Sequence, residues 1–489
     1  MNMNSSIEHA KTKEILDCFR EISKIPRCSK HEEKISEWLM NWAKEHNFEA
    51  KMDKVKNIVI KIPSSPGYEN SPLTVIQGHM DMVCEKTPDS PHDFTKDPIK
   101  FVYEGEWLTA DRTTLGADNG IAIAMAMVLA LDKEIPHPPL ELLFTVDEES
   151  GLTGANALEP GFIEGKILIN VDSEDEGVFT VGCAGGINSY LSLPLDYEAV
   201  PDGYKPFKIT AGNMKGGHSG IDIALGKANA IRILGRSLFH LTEENIDLKL
   251  VDIKGGSAHN AIPRDAYAVV FLPENDITKA KNTIAECSSI FNSEFKGTDP
   301  ELTVSIDESS EDSCDQVVTT AKTQKVIELT LVIPHGVEAM SHDIEGLVET
   351  SNNFANIKVE EEAVKVLTSQ RSSVVTRLNA LTNRVESAVR LAGGEGHSGD
   401  GYPPWQPNMD SPLLARSIKL YEKMFKKEPV VEVIHAGLEC GIIGDKNPGM
   451  DMISIGPDLR NPHSPDEKIH IGAIGKVWDF IAELLKELK

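Results

Sequence analysis

Short apolar runs that end on a histidine or a carboxylate constrain this chain more than any other feature. Val55–Ile62, Leu73–Gln77, Leu140–Val146 and Ile167–Val171 read as strands, with a long helical pattern, Asn119–Leu131, between the second and third. Strands that alternate with helices and are apolar on both faces belong in a covered sheet, so a three-layer α/β unit is expected. Ahead of it, Ser29 and Glu32 have the spacing of a capping box, and Ile35, Trp38, Leu39 and Trp42 share a face of the helix that follows.

The character changes after Gly182-Cys183-Ala184-Gly185-Gly186. Phe207–Thr210, a helix near Ile221–Leu241, Leu248–Ile253 and Ala266–Leu272 suggest an inserted α+β domain. A second set of similar type follows: strand Val326–Ile333, helix Ile344–Asn352, a strand near Ile357, strand Ala363–Leu367 and helix Val374–Leu391. The two sets share the style of a duplication, although their residues hardly match. From about Pro404 the first pattern returns in Val430–Ile434, Met452–Ile455 and Ile469–Leu485, which could complete the first sheet. The expected division is therefore residues 1–186 and 401–489 in one domain, with 187–400 inserted. The acidic, Ser-rich Asp307–Asp315 stretch reads as a solvated connection, and no motif stands out as far as Gln324.

A chain of 489 residues exceeds what one core accommodates, which agrees with two domains. Its 49 Lys and Arg against 76 Asp and Glu give a net charge of −27, which speaks against a nucleic-acid or anionic-membrane partner, since either needs a basic face. The longest apolar run, Ile121–Leu131, is too short to span a bilayer, and the polar Met1–Ala10 stretch lacks the apolar core of a signal peptide. Seven cysteines, odd in number and without a C-x-x-C pair, read as reduced, scattered thiols. A cytoplasmic protein is the expectation, as a monomer or a homodimer.

Five segments carry chemistry. In Gly78-His79-Met80-Asp81, residues i and i+2 of an extended chain face one way, so Asp81 is placed to hold the second nitrogen of a metal-bound His79. Leu115-Gly116-Ala117-Asp118-Asn119-Gly120 opens the long helix, where Asp118 taken alone reads as a cap. Asp147-Glu148-Glu149 closes an apolar strand with three adjacent carboxylates, whose repulsion calls for solvent or a cation. Asp172 follows Ile169-Asn170-Val171, and His463 stands in Pro462-His463-Ser464-Pro465. Singly, each also fits polar strand ends, a helix cap or a solvated charge run. Together they supply a histidine and carboxylate set without cysteine, suited to Zn, Mn or Co in an open hydrolytic site. No G-x-S-x-G elbow, Walker loop or H-E-x-x-H helix supports another chemistry.

In their order along the chain these segments resemble the M20 metallopeptidase family, over nearly the whole length. Pro91–Pro98, Thr113–Gly120, Val181–Gly186, Lys215–Gly220, His435–Gly441 and Ser454–Pro457 are most similar to its aminoacyl-histidine dipeptidase branch. The resemblance implies a three-layer α/β zinc-peptidase catalytic domain with an inserted α+β lid. It implies two divalent ions, zinc with cobalt or manganese as alternatives. His79, Asp118 and Asp172 would hold one ion, and Asp118, Glu149 and His463 the other. Asp81 would orient His79, and Glu148 would act as base toward a water shared by the ions. In the lid, His218 would steady an oxyanion, and Asn260 with Arg371 would hold a substrate carboxylate, an alternative for Arg371 being a surface residue before a helix. Glu439 could meet a substrate amino group or serve only its Gly-rich turn. The implied reaction is hydrolysis of dipeptides, including Xaa-His types such as β-alanyl-histidine. Deacylase, tripeptidase and carboxypeptidase activities share the same metal core and stand as alternatives, with a non-catalytic metal-binding relative behind them.

Overall fold

The computed structural model describes residues 9–309, 314–342 and 344–489. Parts of the Met1–Ala10 and Asp307–Asp315 stretches therefore lie outside the described residues. The chain divides into two compact units. One contains the chain up to Cys183 with Trp405–Val433 and Leu438–Lys489, the other Ala184–Pro404 with Ile434–Gly437.

The first unit is built on an eight-stranded sheet in the order Glu49–Met52, Ile58–Ile62, Leu140–Thr145, Thr74–His79, Ile167–Asn170, Asp451–Ser454, Val178–Cys183, Val430–Ile434. Its centre is parallel: Thr74–His79 pairs with Leu140–Thr145 on one side and Ile167–Asn170 on the other, and Asp451–Ser454 continues in the same sense. Every residue of Thr74–His79 and Leu140–Thr145 is buried, as a sheet covered on both faces requires. The covering is visible at adjacent residues. A Cβ on Gly78 would stand 2.3 Å from Asn119 Oδ1 and 2.7 Å from Ala122 Cβ, so helix Ala117–Leu131 lies against that face. Gln77 points the other way and donates to Glu439 at the start of helix Glu439–Lys446. Helix Ala117–Leu131 is apolar nearly all round and buried along most of its length, which suits a helix enclosed by others.

A smaller four-stranded sheet orders Leu459–Arg460, Lys468–His470, Trp107–Ala110 and Phe101–Glu104. The pairs Leu459↔Ile469 and Arg460↔Lys468 close residues 461–467 into a hairpin loop.

The second unit holds a nine-stranded sheet whose main path is Thr303–Glu308, Tyr204–Gly212, Ala266–Pro273, Lys249–Gly255, Val348–Glu360, Ala363–Ser372, Gly185–Pro194, Glu395–Ser398. Each half of this path has one plan: strand, helix, two strands, helix, strand, with the first strand paired to the third and fourth. The halves join through Lys254↔Lys358 and Gly255↔Ile357. One half is inserted into the other after Gly185–Pro194, and Tyr197↔Val318 to Ala199↔Gln316 pair its two ends.

Four local expectations are corrected. Where a strand was expected at Val326–Ile333, helix Thr320–Val332 forms; Thr323, Val326, Ile327 and Thr330 are buried at helical spacing, which the short apolar run concealed. Where a helix was expected at Ile344–Asn352, strand Val348–Glu360 begins. The buried side chains of residues 349–353 are polar, with Thr350 bonded to Ser372, Asn352 to Gln370 and the Asn353 amide nitrogen to the His259 and Ala261 carbonyls, so no apolar alternation announces the start of the strand. The capping box does not form: Glu32 accepts from the Lys30 amide and Ser29 donates to Asp81. Finally, Cys28 and Cys84 are joined by a disulfide while the other five cysteines are free. A bridge between Cys28 and Met82 sets Cys28 beside Cys84, 56 positions away in sequence, a proximity that spacing does not encode. No described helix is long and apolar enough to cross a membrane.

Candidate metal centre

Parallel strands end at a common edge, and ligands in α/β sheets gather there. His79 closes Thr74–His79, Glu148 and Glu149 follow Leu140–Thr145, and Asp172 follows Ile167–Asn170. The fully buried His79 presents its Nε2 to Asp118 Oδ1 at 3.0 Å and to Asp172 Oδ1 at 3.5 Å. The other oxygen of Asp118 lies 3.3 Å from His463 Nε2, which is 2.8 Å from Glu149 Oε2. Asp118 thus faces two imidazoles with two different oxygens. The donor atoms of His79, Asp118 and Asp172 fall within 4.8 Å of one another, as do those of Asp118, Glu149 and His463. The same spacing groups Glu148 with His79 and Glu149.

Asp81 stands behind this set. Its carboxylate lies 3.3 Å from His79 Nδ1 and accepts the Glu148 amide at 3.0 Å, the Glu149 amide at 3.2 Å and the Ser29 hydroxyl at 2.8 Å. One carboxylate therefore fixes an imidazole and the backbone of both glutamates. Asp118 does not cap its helix: Asp118 and Asn119 both depart from helical geometry, and the side chain turns to the imidazoles. A further triad, Glu32, Asp81 and Asp147, is also within 4.8 Å, but its oxygens already accept from amides and from the Ser29, Ser150 and Thr153 hydroxyls.

The electrostatics call for a cation. Burial pushes Glu148 well above the usual carboxylate range, helped by Asp172, Glu439 and Glu149. Burial also raises Glu149, with Asp118 adding to it. Asp118 is pulled up by burial, yet the two imidazoles override this and hold it low. His463 is pushed up to about 11 by Asp118 and Glu149. In His79, burial acts downward but the surrounding aspartates prevail and raise it. Glu149 Oε1 is buried without a protein partner. Two histidines and three carboxylates, one of them a shared aspartate and another with an unpartnered buried oxygen, fit a pair of divalent ions.

The remaining residues singled out by sequence lie in the second unit. His218 Nδ1 accepts the Gly220 and Ile221 amides, each at 3.3 Å, which leaves the proton on Nε2. Its basicity is lowered by burial and by Arg371. The Asn260 carbonyl accepts the Ser219 amide at 2.8 Å, and Gly217↔Ile262 and His218↔Ala261 tie the two loops together. Arg371 is 7% exposed within strand Ala363–Ser372, so it is not a surface residue before a helix. It donates to the Tyr402 hydroxyl at 2.9 Å, and its Nε is buried without a partner. Glu439 is 1% exposed and accepts from Gln77 and Thr145, which favours support of its turn over contact with substrate.

Sequence reasoning missed Arg27 and Glu467. Arg27 is buried and donates to the Met80, Asp81 and Gly116 carbonyls. Glu467 accepts four successive amides, those of residues 115–118. Only its place four residues after His463 could have drawn attention to it.

A profile of peptidase family M20/M25/M40 matches residues 75–487. The cytosol non-specific dipeptidase of Escherichia coli (strain K12) is 40% identical over 484 residues, 99% of each chain. The crystal structure of aminoacylhistidine dipeptidase from Vibrio alginolyticus superposes with a TM-score of 0.90 at 40% identity, over 97% of this chain and 96% of that one. Aminopeptidase PepT from Bacillus cereus shares the fold at a TM-score of 0.56 and 15% identity, covering 98% of each chain. A catalytic α/β unit with a separate α+β unit, and two histidines gathered with carboxylates at one sheet edge, therefore have their explanation in descent: the chain belongs to peptidase family M20/M25/M40.

Proposed function

We propose that the protein is a metal-dependent dipeptidase acting on free dipeptides, Xaa-His types such as β-alanyl-histidine among them. The observation that carries this reading is Asp118, whose two oxygens face His79 and His463 separately. The relatives that match over nearly full length are both named as dipeptidases, which supports the substrate class. His79, Asp118 and Asp172 would hold one ion and Asp118, Glu149 and His463 the other, with zinc the first choice and cobalt or manganese alternatives. Bound there, such ions polarise a carbonyl and acidify water.

The chain's own groups do the rest. Asp81 keeps the His79 ring oriented through Nδ1. Glu148, raised by burial, accepts a proton from the attacking water on a carboxylate oxygen and delivers it to the leaving amine. His218 carries its proton on Nε2 and can donate to a developing oxyanion. Arg371 and Asn260 are assigned to the substrate carboxylate, for which a guanidinium offers two parallel donors. On this reading residues 1–186 and 401–489 form the catalytic domain and 187–400 the lid. A cytoplasmic location accords with the name of the Escherichia coli relative.

The test compares kcat/KM for a dipeptide, β-alanyl-histidine, the dipeptide amide, a tripeptide and an N-acetyl amino acid, in wild type and Arg371→Ala. Free dipeptides should lead. Amidation should cost about 2–5 kcal/mol in wild type, by analogy with truncated buried charge pairs, and little in the variant. Faster turnover of the tripeptide or the N-acetyl amino acid would overturn the dipeptidase reading.

A further inference from the structure

The turn that presents Asp118 is held from both sides. Gly116 is left-handed, with φ 69°, and a Cβ there would meet Arg27 Nη2 at 2.5 Å and Met82 Sδ at 2.7 Å. The buried Arg27 guanidinium donates to the Gly116 carbonyl on one side. On the other, Glu467 Oε2 accepts the Leu115 amide at 2.8 Å and the Gly116 amide at 2.9 Å. Its Oε1 accepts those of Ala117 at 2.8 Å and Asp118 at 3.2 Å. Asp118 has φ −77° and ψ 105° and Asn119 has φ −115° and ψ 27°, so the cradled segment is an irregular turn rather than a regular first helical turn.

Glu467 reaches this turn from the loop that also carries His463. Arg460↔Lys468 closes that loop, the Glu467 amide donates to the Ser464 carbonyl at 3.0 Å, and the Glu467 carbonyl accepts the Thr109 hydroxyl at 2.7 Å. One carboxylate thereby registers the His463 loop against the backbone of the shared aspartate. We propose that Glu467 is a positioning residue for the metal centre, setting the separation of Asp118 and His463 by binding the amides of residues 115–118 from the His463 loop. The proposal rests on the two-ion reading above, although it concerns no substrate.

A carboxylate that only stabilised the helix start would contribute to folding and leave the ligands where they were. A positioning carboxylate alters metal affinity in the folded protein. Outer partners of metal ligands typically change affinity by about 10–100-fold when removed.

The experiment uses the full chain, stripped and titrated with Zn²⁺ against a competing chelator, for wild type, Glu467→Gln and Glu467→Asp. Glutamine keeps the shape but opposes two amides with its NH2; aspartate keeps the charge but shortens the reach. Hydrogen exchange across residues 115–118 in the metal-free proteins reports the cradle even where folding is weakened. The expected result is a weaker second Zn²⁺ site by about 10–100-fold in both variants, faster exchange at 115–118, and a lower kcat at fixed Zn²⁺ with little change in KM. Wild-type affinity at both sites in both variants would overturn the proposal while leaving the two-ion reading intact. A wild-type protein that takes up fewer than two ions would remove that reading, and this inference with it.

Discussion

Replacing Glu148 by glutamine and, separately, Glu149 by alanine should produce two different failures from adjacent residues. Glu149 Oε2 lies 2.8 Å from His463 Nε2 and belongs with Asp118 and His463 to one donor set. Its loss leaves two of three protein donors for that ion, and affinity should fall by more than the roughly 10–100-fold that outer partners contribute. Glu148 is the residue assigned to proton transfer, worth about 10²–10⁴-fold in rate, or about 3–5 kcal/mol of barrier. Both backbone amides are held by Asp81, so neither change should unseat its neighbour. Metal content by mass spectrometry after gel filtration, alongside kcat at saturating dipeptide, separates the two outcomes. Glu148→Gln should retain two ions with kcat down at least 100-fold; Glu149→Ala should lose about one ion and recover part of its rate in excess metal. The geometry also permits a grouping of Glu148 with His79 and Glu149. Equal metal loss in the two variants would therefore refute the division of labour and make Glu148 a ligand.

Two further outcomes follow from the same structure. Gly78→Ala should destabilise the first unit by about 1–3 kcal/mol, because the new methyl would displace Asn119 Oδ1, which accepts the His79 amide at 3.2 Å; an unfolding free energy from denaturant titration within about 0.5 kcal/mol of wild type would count against the close packing. Metal uptake by the stripped protein should release protons at pH 7. His463 at about 11 and His79 well above its ordinary value are protonated there and must be deprotonated to ligate, so affinity should rise with pH. Calorimetry in buffers of differing ionisation heat measures this, and zero net release would contradict it.

The candidate metal-centre residues were legible because strand ends bring their side chains to one edge, and the chain writes those ends plainly: apolar run, then His79, Glu148-Glu149 or Asp172. Asp118 was harder, since before a helical run it resembles a cap. The strand near Ile357 was legible, but the first part of Val348–Glu360 was not, because its run of Glu, Thr, Ser and Asn shows no hydrophobic period. Helix Thr320–Val332 failed for the opposite reason, its apolar residues being bunched tightly enough to mimic a strand. Glu467, Arg27 and the Cys28–Cys84 pair depend on contacts between distant segments, and a single sequence records neither register nor proximity.

The nested halves of the second unit give the chain a detachable cassette. Its ends are zipped by Tyr197↔Val318 and its neighbours, with the Thr319 amide bonded to the Asp196 carbonyl at 2.9 Å and Lys322 Nζ to the Pro194 carbonyl at 2.7 Å. Entry and exit are thus adjacent, the condition under which an inserted module is tolerated by its host. Loops inside the cassette can lengthen, shorten or change sequence without altering the strand order that receives it. His218 and Asn260 ride on the cassette, whereas Arg371 belongs to the host half. On the roles proposed for His218 and Asn260, exchanging one piece would retune substrate preference, while the candidate metal centre, encoded elsewhere in the chain, would be inherited unchanged.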